Sequence, residues 1–305
     1  MSPLAQRTAA VVVVYRTDSD PSALIAQLRP QVGLTIVADN TAQGHPALDG
    51  LAQLPDVLRI HNANQGALAG AYNQALQVLQ AHQARPGGFT HVVFLDEDSD
   101  ASNLTTFLVD AEVRDTLERT DTAAVAPAYR DRATGLRGKY IELTRWRLRY
   151  LPRDFAGMRQ VAFVINSMSV WRLDALARIG HFNQGLAVDH VDTEACLRAR
   201  TAGLRVWVHG SHTFAHSIGQ RRAFTLFGRQ MQAGGHSASR RRMIGRNTAW
   251  LGRRYLWREP AFAALCLMRL GYETAGILLA EDHRWRKLAA LWQGVVAGLL
   301  TLTLA

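Results

Sequence analysis

The stretch Phe89–Asp100, FTHVVFLDEDSD, decides how the rest of the chain is read. Val92–Leu95 is a continuous apolar run, the pattern of a strand buried on both faces of a parallel sheet. It stops at Asp96, Glu97, Asp98 and Asp100, four carboxylates in five residues. Such a group does not stay ionised beside a sheet end without partners. Strand alternation directs Asp96 and Asp98 to one side and Glu97 to the other. Two oxygen ligands converging at the carboxyl end of a strand suit Mg²⁺ or Mn²⁺ held on a diphosphate. The competing reading is a solvated acidic loop that caps the next helix through Ser99, Asp100 or Ser102.

Upstream, Ala9–Tyr15 (AAVVVVY), Leu34–Asn40 (LTIVADN) and Val57–His61 read as further strands. Pro21–Leu28 and Ala67–Gln83 have helical spacing. In the second, Leu68, Tyr72, Leu76 and Leu79 share one face. Strand followed by helix, repeated three times within 95 residues, predicts an α/β fold with a doubly wound sheet and right-handed crossovers. Ligands in such sheets bind outside the carboxyl ends of the strands, where Asp39, Asn64–Gly66 and Asp96/Asp98 all fall. No G-x-G-x-x-G follows the first strand and no G-K-[ST] loop occurs, so dinucleotide and P-loop readings have no motif.

Downstream, Leu104–Leu117 is expected to be helical and Ala123–Tyr129 a strand. The Arg-rich segment Arg130–Arg159 reads as a loop or hairpin over the site. Val161–Ser167 reads as a strand, and Trp171–Ile179 as a helix stopped by Gly180. The acids Asp189, Asp192 and Glu194 precede a helical stretch, Ala195–Ala202. Leu204–Val208 and Thr213–His216 are expected as strands.

The length of 305 residues suits one large domain or one with an appendage, and an apolar share of 48% with 20% charged residues is that of a globular chain. Cys196 and Cys266 are too few for a disulfide framework and wrongly spaced for zinc, which fits a reducing cytoplasm. Met1–Ala10 has no apolar core, so no secretory signal is expected there. The net charge of +10 is uneven: residues 1–100 hold five Arg and nine Asp/Glu, whereas residues 198–258 hold thirteen Arg and no acid. That block is a footprint for phosphate, nucleic acid or an anionic membrane surface, or else a solvated basic face.

The motifs taken together resemble the family 2 glycosyltransferases of the GT-A fold, and within them the bacterial rhamnosyltransferase-like enzymes. The resemblance rests on VVVVY at 11–15, VADN at 37–40, NQGALAGAYNQA at 64–75 and LDEDS at 95–99. It continues through SMS at 167–169, IGHF at 179–182, DHVDTEACLRARTAG at 189–203, HSIG at 216–219 and RRMIGRN at 241–247. Met168 departs from the Gly usual in the subgroup, so the acceptor-side strand is expected to approach its ligand less closely. Val188 departs from an aromatic or Ile.

The resemblance implies a GT-A architecture: Rossmann-like, doubly wound, with a mixed sheet and a C-terminal helical appendage. It further implies that Asp39 binds the base or ribose of a nucleotide-sugar donor, with Asp96 at the ribose or the metal waters. Asp98 would ligate Mg²⁺ or Mn²⁺, and Asp192 would be the general base of an inverting transfer. Asn64 and Gly66 lie near phosphate or ribose, or are turn residues only. His216 contacts metal or diphosphate, or is a satisfied strand histidine. Arg221 and Arg222 are natural diphosphate clamps, or a solvated pair. Glu194 and Asp189 support the site, with pairing of Glu194 to Arg198 one turn later as the plainer role for Glu194.

The C-terminal third is apolar and Leu/Ala-rich over Pro260–Ala280 and Leu288–Ala305. Arg269 and Glu273 make the first segment look amphipathic. The second is 18 residues without a charge, behind HRWRK at 283–287. The expected division is 1–220 for catalysis and 221–305 for membrane association or dimerisation. The expected partners are a nucleotide-sugar donor, a glycan or lipid-linked glycan acceptor, an anionic membrane surface and a second copy of the chain, with no nucleic acid. Attachment would be peripheral, on the cytoplasmic face, with Trp250, Trp257, Trp285 and Trp292 at the interface.

Overall fold

The structure is a computed structural model that describes residues 1–15, 20–83, 88–217, 222–226 and 229–304; the side chains of residues 52, 83, 222–226 and 229–231 are outside that description. Two compact units emerge, the first Met1–Ile141 with Tyr150–Ser217, the second Glu142–Arg149 with Ile218–Ala305.

In the first unit, the short helix α1 (Pro3–Gln6) leads into β1 (Thr8–Val14), buried along its whole length as its unbroken apolar run requires. Next come α2 (Ser22–Leu28), β2 (Leu34–Asp39), β3 (Val57–His61), α3 (Ala67–Gln83) and β4 (His91–Asp96). After them lie α4 (Leu104–Val109), α5 (Ala111–Glu118), β5 (Thr122–Asp131) and β8 (Met158–Val161), while the hairpin β6 (Ile141–Leu143) and β7 (Leu148–Tyr150) between β5 and β8 falls almost wholly in the second unit. The unit ends with β9 (Val170–Arg172), α6 (Leu173–Ile179), α7 (Val191–Thr201) and β10 (Arg205–His216).

Eight strands form one sheet in the order β3-β2-β1-β4-β9-β5-β10-β8. β3, β2, β1 and β4 are parallel. β9 runs antiparallel between β4 and β5, and β8 antiparallel on β10, so the sheet is mixed. The register aligns Val14 with Asp39 and Val13 with Asp96, which sets the two acids one residue apart on the carboxyl edge. The core beneath is continuous from Val12 and Val37 through Phe107 to Val170.

Several sequence expectations change. The helix expected over Leu104–Leu117 is two helices, because the Asp110 carboxylate caps Val113 N–H and starts α5 afresh. Val161–Ser167 contributes only Val161 to a strand, while Ser167 makes a single bridge to Phe94. The expected strands Leu204–Val208 and Thr213–His216 are one strand with an irregularity between His209 and Thr213. α7 begins at Val191, not Ala195, so Asp192 and Glu194 sit in its first turn, where the helix dipole favours acids.

In the second unit, β11 (Arg222–Leu226) and β12 (Arg229–Ala233) pair antiparallel, followed by α8 (Ala238–Tyr255), α9 (Pro260–Ala280) and α10 (Arg284–Leu300). α8 and α10 pack backbone to backbone. A Cβ at Gly245, Gly294 or Gly298 would fall 2.0–2.2 Å from a carbonyl oxygen of the other helix. The Arg241 side chain is fully buried between Glu273 and Glu281, and Lys287 Nζ lies 2.9 Å from Glu281. Part of the acid-free Arg block is thus neutralised internally: Arg198 pairs with Glu194, Arg205 with Asp121 and Arg241 with these two acids. Trp250, expected at a membrane interface, is buried, whereas Trp257, Trp285 and Trp292 are exposed.

Candidate functional site

The carboxyl edge holds two different acids. Asp39 is wholly buried and saturated. Oδ1 accepts from Thr41 N–H (3.1 Å) and Thr41 Oγ1 (2.6 Å); Oδ2 accepts from His45 N–H (2.9 Å) and the Arg59 guanidinium (2.8 Å). Burial alone would push its pKa up, but these donors outweigh burial and bring the carboxyl down to about 2. Every lone-pair direction that counts is in use. Asp39 therefore organises the 41–45 loop and Arg59, and direct contact with a base, the role its motif implies, would require one of these bonds to open.

A chain of asparagines extends this loop system. Asn62 Nδ2 donates to Asn40 Oδ1 (2.6 Å), and Asn40 Nδ2 donates to Asn64 Oδ1 (3.3 Å). Ala63, Asn64 and Ala67 all have positive φ, and Gly66 has φ +64° with its Cα facing the Gln184 side chain. Strained backbone of this kind persists only where surrounding contacts over-determine it, and it clusters at sites of function.

Asp96 differs. Its carboxylate accepts from the Ser167 hydroxyl, 71 residues away, while its N–H donates to Ser99 Oγ (2.9 Å). Burial raises its carboxyl; the Ser167 hydrogen bond and the His216 charge pull it down, and Asp98 pushes it up again. Burial in turn lowers the His216 imidazole, while Asp96 and Asp98 raise it. His216 ends β10 opposite Asp131, so strand pairing carries it to this edge. Asp98 is exposed, and its carbonyl accepts from Arg132 (2.9 Å). The acidic segment does not act as a helix cap: the N-cap of α4 is Asn103. Exposed Asp98 lies within electrostatic reach of His216, and a carboxylate and an imidazole are both side chains that bind divalent cations.

Asp192 reaches the same neighbourhood from α7. The Tyr72 hydroxyl is pushed well above its ordinary range by burial and then by the charges of Asp96 and Asp192, which places all three side chains within electrostatic reach. Asp192 Oδ1 accepts from Thr193 N–H (2.7 Å). Tyr72 is held by stacking with Phe94 (4.5 Å) and Phe182 (5.3 Å). Asn73, next to it, clamps the Phe182 backbone with two bonds of 2.9 and 2.8 Å. The motifs at 64–75 and 179–182 are one packing unit.

Glu194 is buried and paired with Arg198 at 2.8 Å, and Arg198 also donates to the Ile179 and Gly180 carbonyls. Its role is to hold α7 against α6. Asp189 stands half-buried in the turn before His190, whose φ of +73° starts α7. Arg221 lies outside the described residues, as does the side chain of Arg222 at the start of β11.

Met168 takes φ +63° and is buried in the core. Sequence reasoning missed Asn166. It is 5% exposed; its amide makes no short hydrogen bond among the described residues and lies near the Tyr72 hydroxyl, which it pulls down against the effect of burial. A buried amide in this state calls for a ligand or water. The signal was one polar residue inside the apolar run VAFVIN.

No family model matches the chain, and no curated protein matches it in sequence. Solved structures do match. The crystal structure of GalNAc-T7 with UDP, GalNAc and Mn²⁺ superposes over 92% of this chain and 55% of its own, with a TM-score of 0.52 and 11% identity. The fold is GT-A. The crystal structure of S. aureus TarS aligns over 70% of this chain and 37% of its own, with a TM-score of 0.45 and 14% identity. This chain therefore spans about half of the first protein and little more than a third of the second. The likeness is one of fold, that of the mixed, mostly parallel eight-stranded sheet.

Proposed function

We propose that the chain is an inverting, divalent-metal-dependent glycosyltransferase that moves L-rhamnose from dTDP-L-rhamnose to a hydroxyl of a growing, lipid-linked bacterial surface glycan. What supports this reading is that Asp96 and Asp98 lie within electrostatic reach of His216, and Asp96 and Asp192 within electrostatic reach of Tyr72, at the carboxyl end of β4 in a GT-A sheet. Asp98 and His216 would hold the cation. Their mixed oxygen and nitrogen set favours Mn²⁺ over Mg²⁺. Such an ion neutralises the charge that builds on a diphosphate leaving group.

Asp192 takes the proton of the acceptor hydroxyl as its oxygen bonds to the anomeric carbon and the bond to the diphosphate oxygen breaks. One base and one displacement invert the anomeric centre, unlike the two-carboxylate scheme of retaining hydrolases. Ser167 aims Asp96 at the ribose or at the metal waters. Asp39 acts on the nucleotide through the 41–45 loop and Arg59, which it holds, and the Asn166 amide binds a sugar or acceptor hydroxyl. Asn64 and Gly66 border the donor, and Asp189 and Glu194 support the α7 start.

The second unit is proposed as the attachment to the cytoplasmic face of the membrane. In support, α9 is the helix long and apolar enough to cross a membrane among the described residues, rather than the 288–305 segment, and 33% of its most apolar window is buried. Leu267, Trp285, Trp292, Leu299 and Leu300 are exposed, and an apolar cleft of about 750 Å³ opens between α8, α9 and α10. The same surface supports a homodimer as the second reading.

The test is release of dTDP from dTDP-L-rhamnose with Mn²⁺ and a glycosyl acceptor. Asp192→Asn should abolish release and leave nucleotide binding intact. Release of UDP from a UDP-sugar instead would redirect the donor, and no release from either would reject the activity.

A further inference from the structure

We propose that Asp110, Glu112, His209 and His212 form a second cation site, for a transition-metal ion of the Zn²⁺ type, separate from Asp98 and His216. The site is built by a break in the β10 ladder. Pairing with β5 runs His209 to Pro127 and then resumes at Thr213 with Ala128, so Gly210, Ser211 and His212 bulge out. In a regular strand, residues three apart point to opposite faces. Here the extra residues re-aim His212, and the two imidazoles lie 4.7 Å apart. The bulge is packed in place: a Cβ at Gly210 would fall 2.1 Å from the Phe155 carbonyl oxygen.

The carboxylates come from the junction of α4 and α5. Asp110 Oδ2 lies 3.0 Å from His212 Nε2, and Oδ1 lies 3.9 Å from His209 Nε2. Glu112 Oε2 lies 3.2 Å from His209 Nε2 and accepts Met158 N–H at 3.2 Å, which brings β8 into the same cluster. The donor atoms of Asp110, His209 and His212 all lie within 4.8 Å of one another. Ligands about 2.0–2.1 Å from a tetrahedral ion stand roughly 3.3 Å apart, which the contacts of 3.0, 3.2 and 3.9 Å bracket; Glu112, outside the group of three, reaches it through His209. Two imidazoles and two carboxylates match zinc and its transition-metal neighbours better than Mg²⁺ or Ca²⁺.

Loading requires one rearrangement. Ser211 N–H faces His209 Nδ1 at 3.2 Å. An ion on Nε2 moves the ring proton to Nδ1, so this amide, on an exposed residue, turns to water. With the ion in place, β10, β8 and α5 are stapled together, upstream of His216 on the strand that carries it.

The test is retention of metal by the full chain. Protein stripped with a chelator is reloaded with Zn²⁺, desalted and assayed for bound metal by mass spectrometry. The expected result is one retained equivalent in the wild type and in Asp98→Ala, and none in His209→Gln/His212→Gln, whose folding is checked by circular dichroism. Should that pair fail to fold, the exposed Glu112→Gln is used, with release expected at an at least tenfold lower chelator concentration. Absence of a retained equivalent in Asp98→Ala overturns the site. So does an equivalent kept undiminished by the histidine pair or by Glu112→Gln; in either event the cluster is a set of histidine–carboxylate hydrogen bonds only.

Discussion

Asp39 and Asp96 end strands separated only by β1, one residue apart in register, yet their surroundings oppose each other. Asp39 receives four donors and is held ionised down to about pH 2. Asp96 receives the Ser167 hydroxyl, is raised by burial, and faces Asp98 and His216. A saturated acid organises the chain around it. An acid short of partners leaves positive charge to be supplied from outside, which is what a metal–nucleotide site needs.

The comparison breaks most sharply at a third acid. Glu281 resembles Asp39: it is buried and shared by Arg241, Lys287 and Gly235 N–H. Glu281→Ala leaves the buried Arg241 guanidinium with only Glu273, and should cost about 3–5 kcal/mol in urea unfolding. A loss below about 1 kcal/mol would show that saturation carries little energy here. Asp39→Ala comes next, at about 3 kcal/mol, because it orphans two backbone N–H groups and half of the Arg59 pairing.

The pH dependence of Asp39 is milder. Its folded-state value lies below the ordinary 3.8, so its contribution of about 2 kcal/mol is present above pH ~4 and lost as pH falls toward ~2. Asp39→Asn should flatten this acid limb of the melting curve. Ser167→Ala gives the smallest change in stability, about 1 kcal/mol. Because the Ser167 hydroxyl lowers the Asp96 carboxyl, its loss raises that group further, and the acid limb of metal-dependent nucleotide binding should move to higher pH. An unmoved limb would disconnect Asp96 from the site.

Much of this was legible in the chain. Runs such as VVVV at 11–14 and VVFL at 92–95 are buried on both sides, so composition alone marks them as central strands. VAFVINS has the same composition and is mostly not a strand, because its apolar side chains pack without completing a ladder. Asp110 splits a continuous helical period by capping, which periodicity does not register. The strand-end acids were also visible, but their states were not. Saturation of Asp39 depends on a loop fold, and the bond of Asp96 to Ser167 spans 71 residues. The buried amide of Asn166 and the re-aimed His212 likewise exist only once the chain is folded.

The central claim is that the β4 edge binds a nucleotide together with a divalent ion. Its most direct test is the melting temperature with dTDP, UDP and GDP, each with and without Mn²⁺. At about 100 times the dissociation constant, the best nucleotide with Mn²⁺ should add about 2.7 kcal/mol, a rise of about 4 °C. The rise should vanish without metal and in Asp98→Ala. No shift with any nucleotide in the presence of Mn²⁺ or Mg²⁺, or a full shift in Asp98→Ala, would contradict the account.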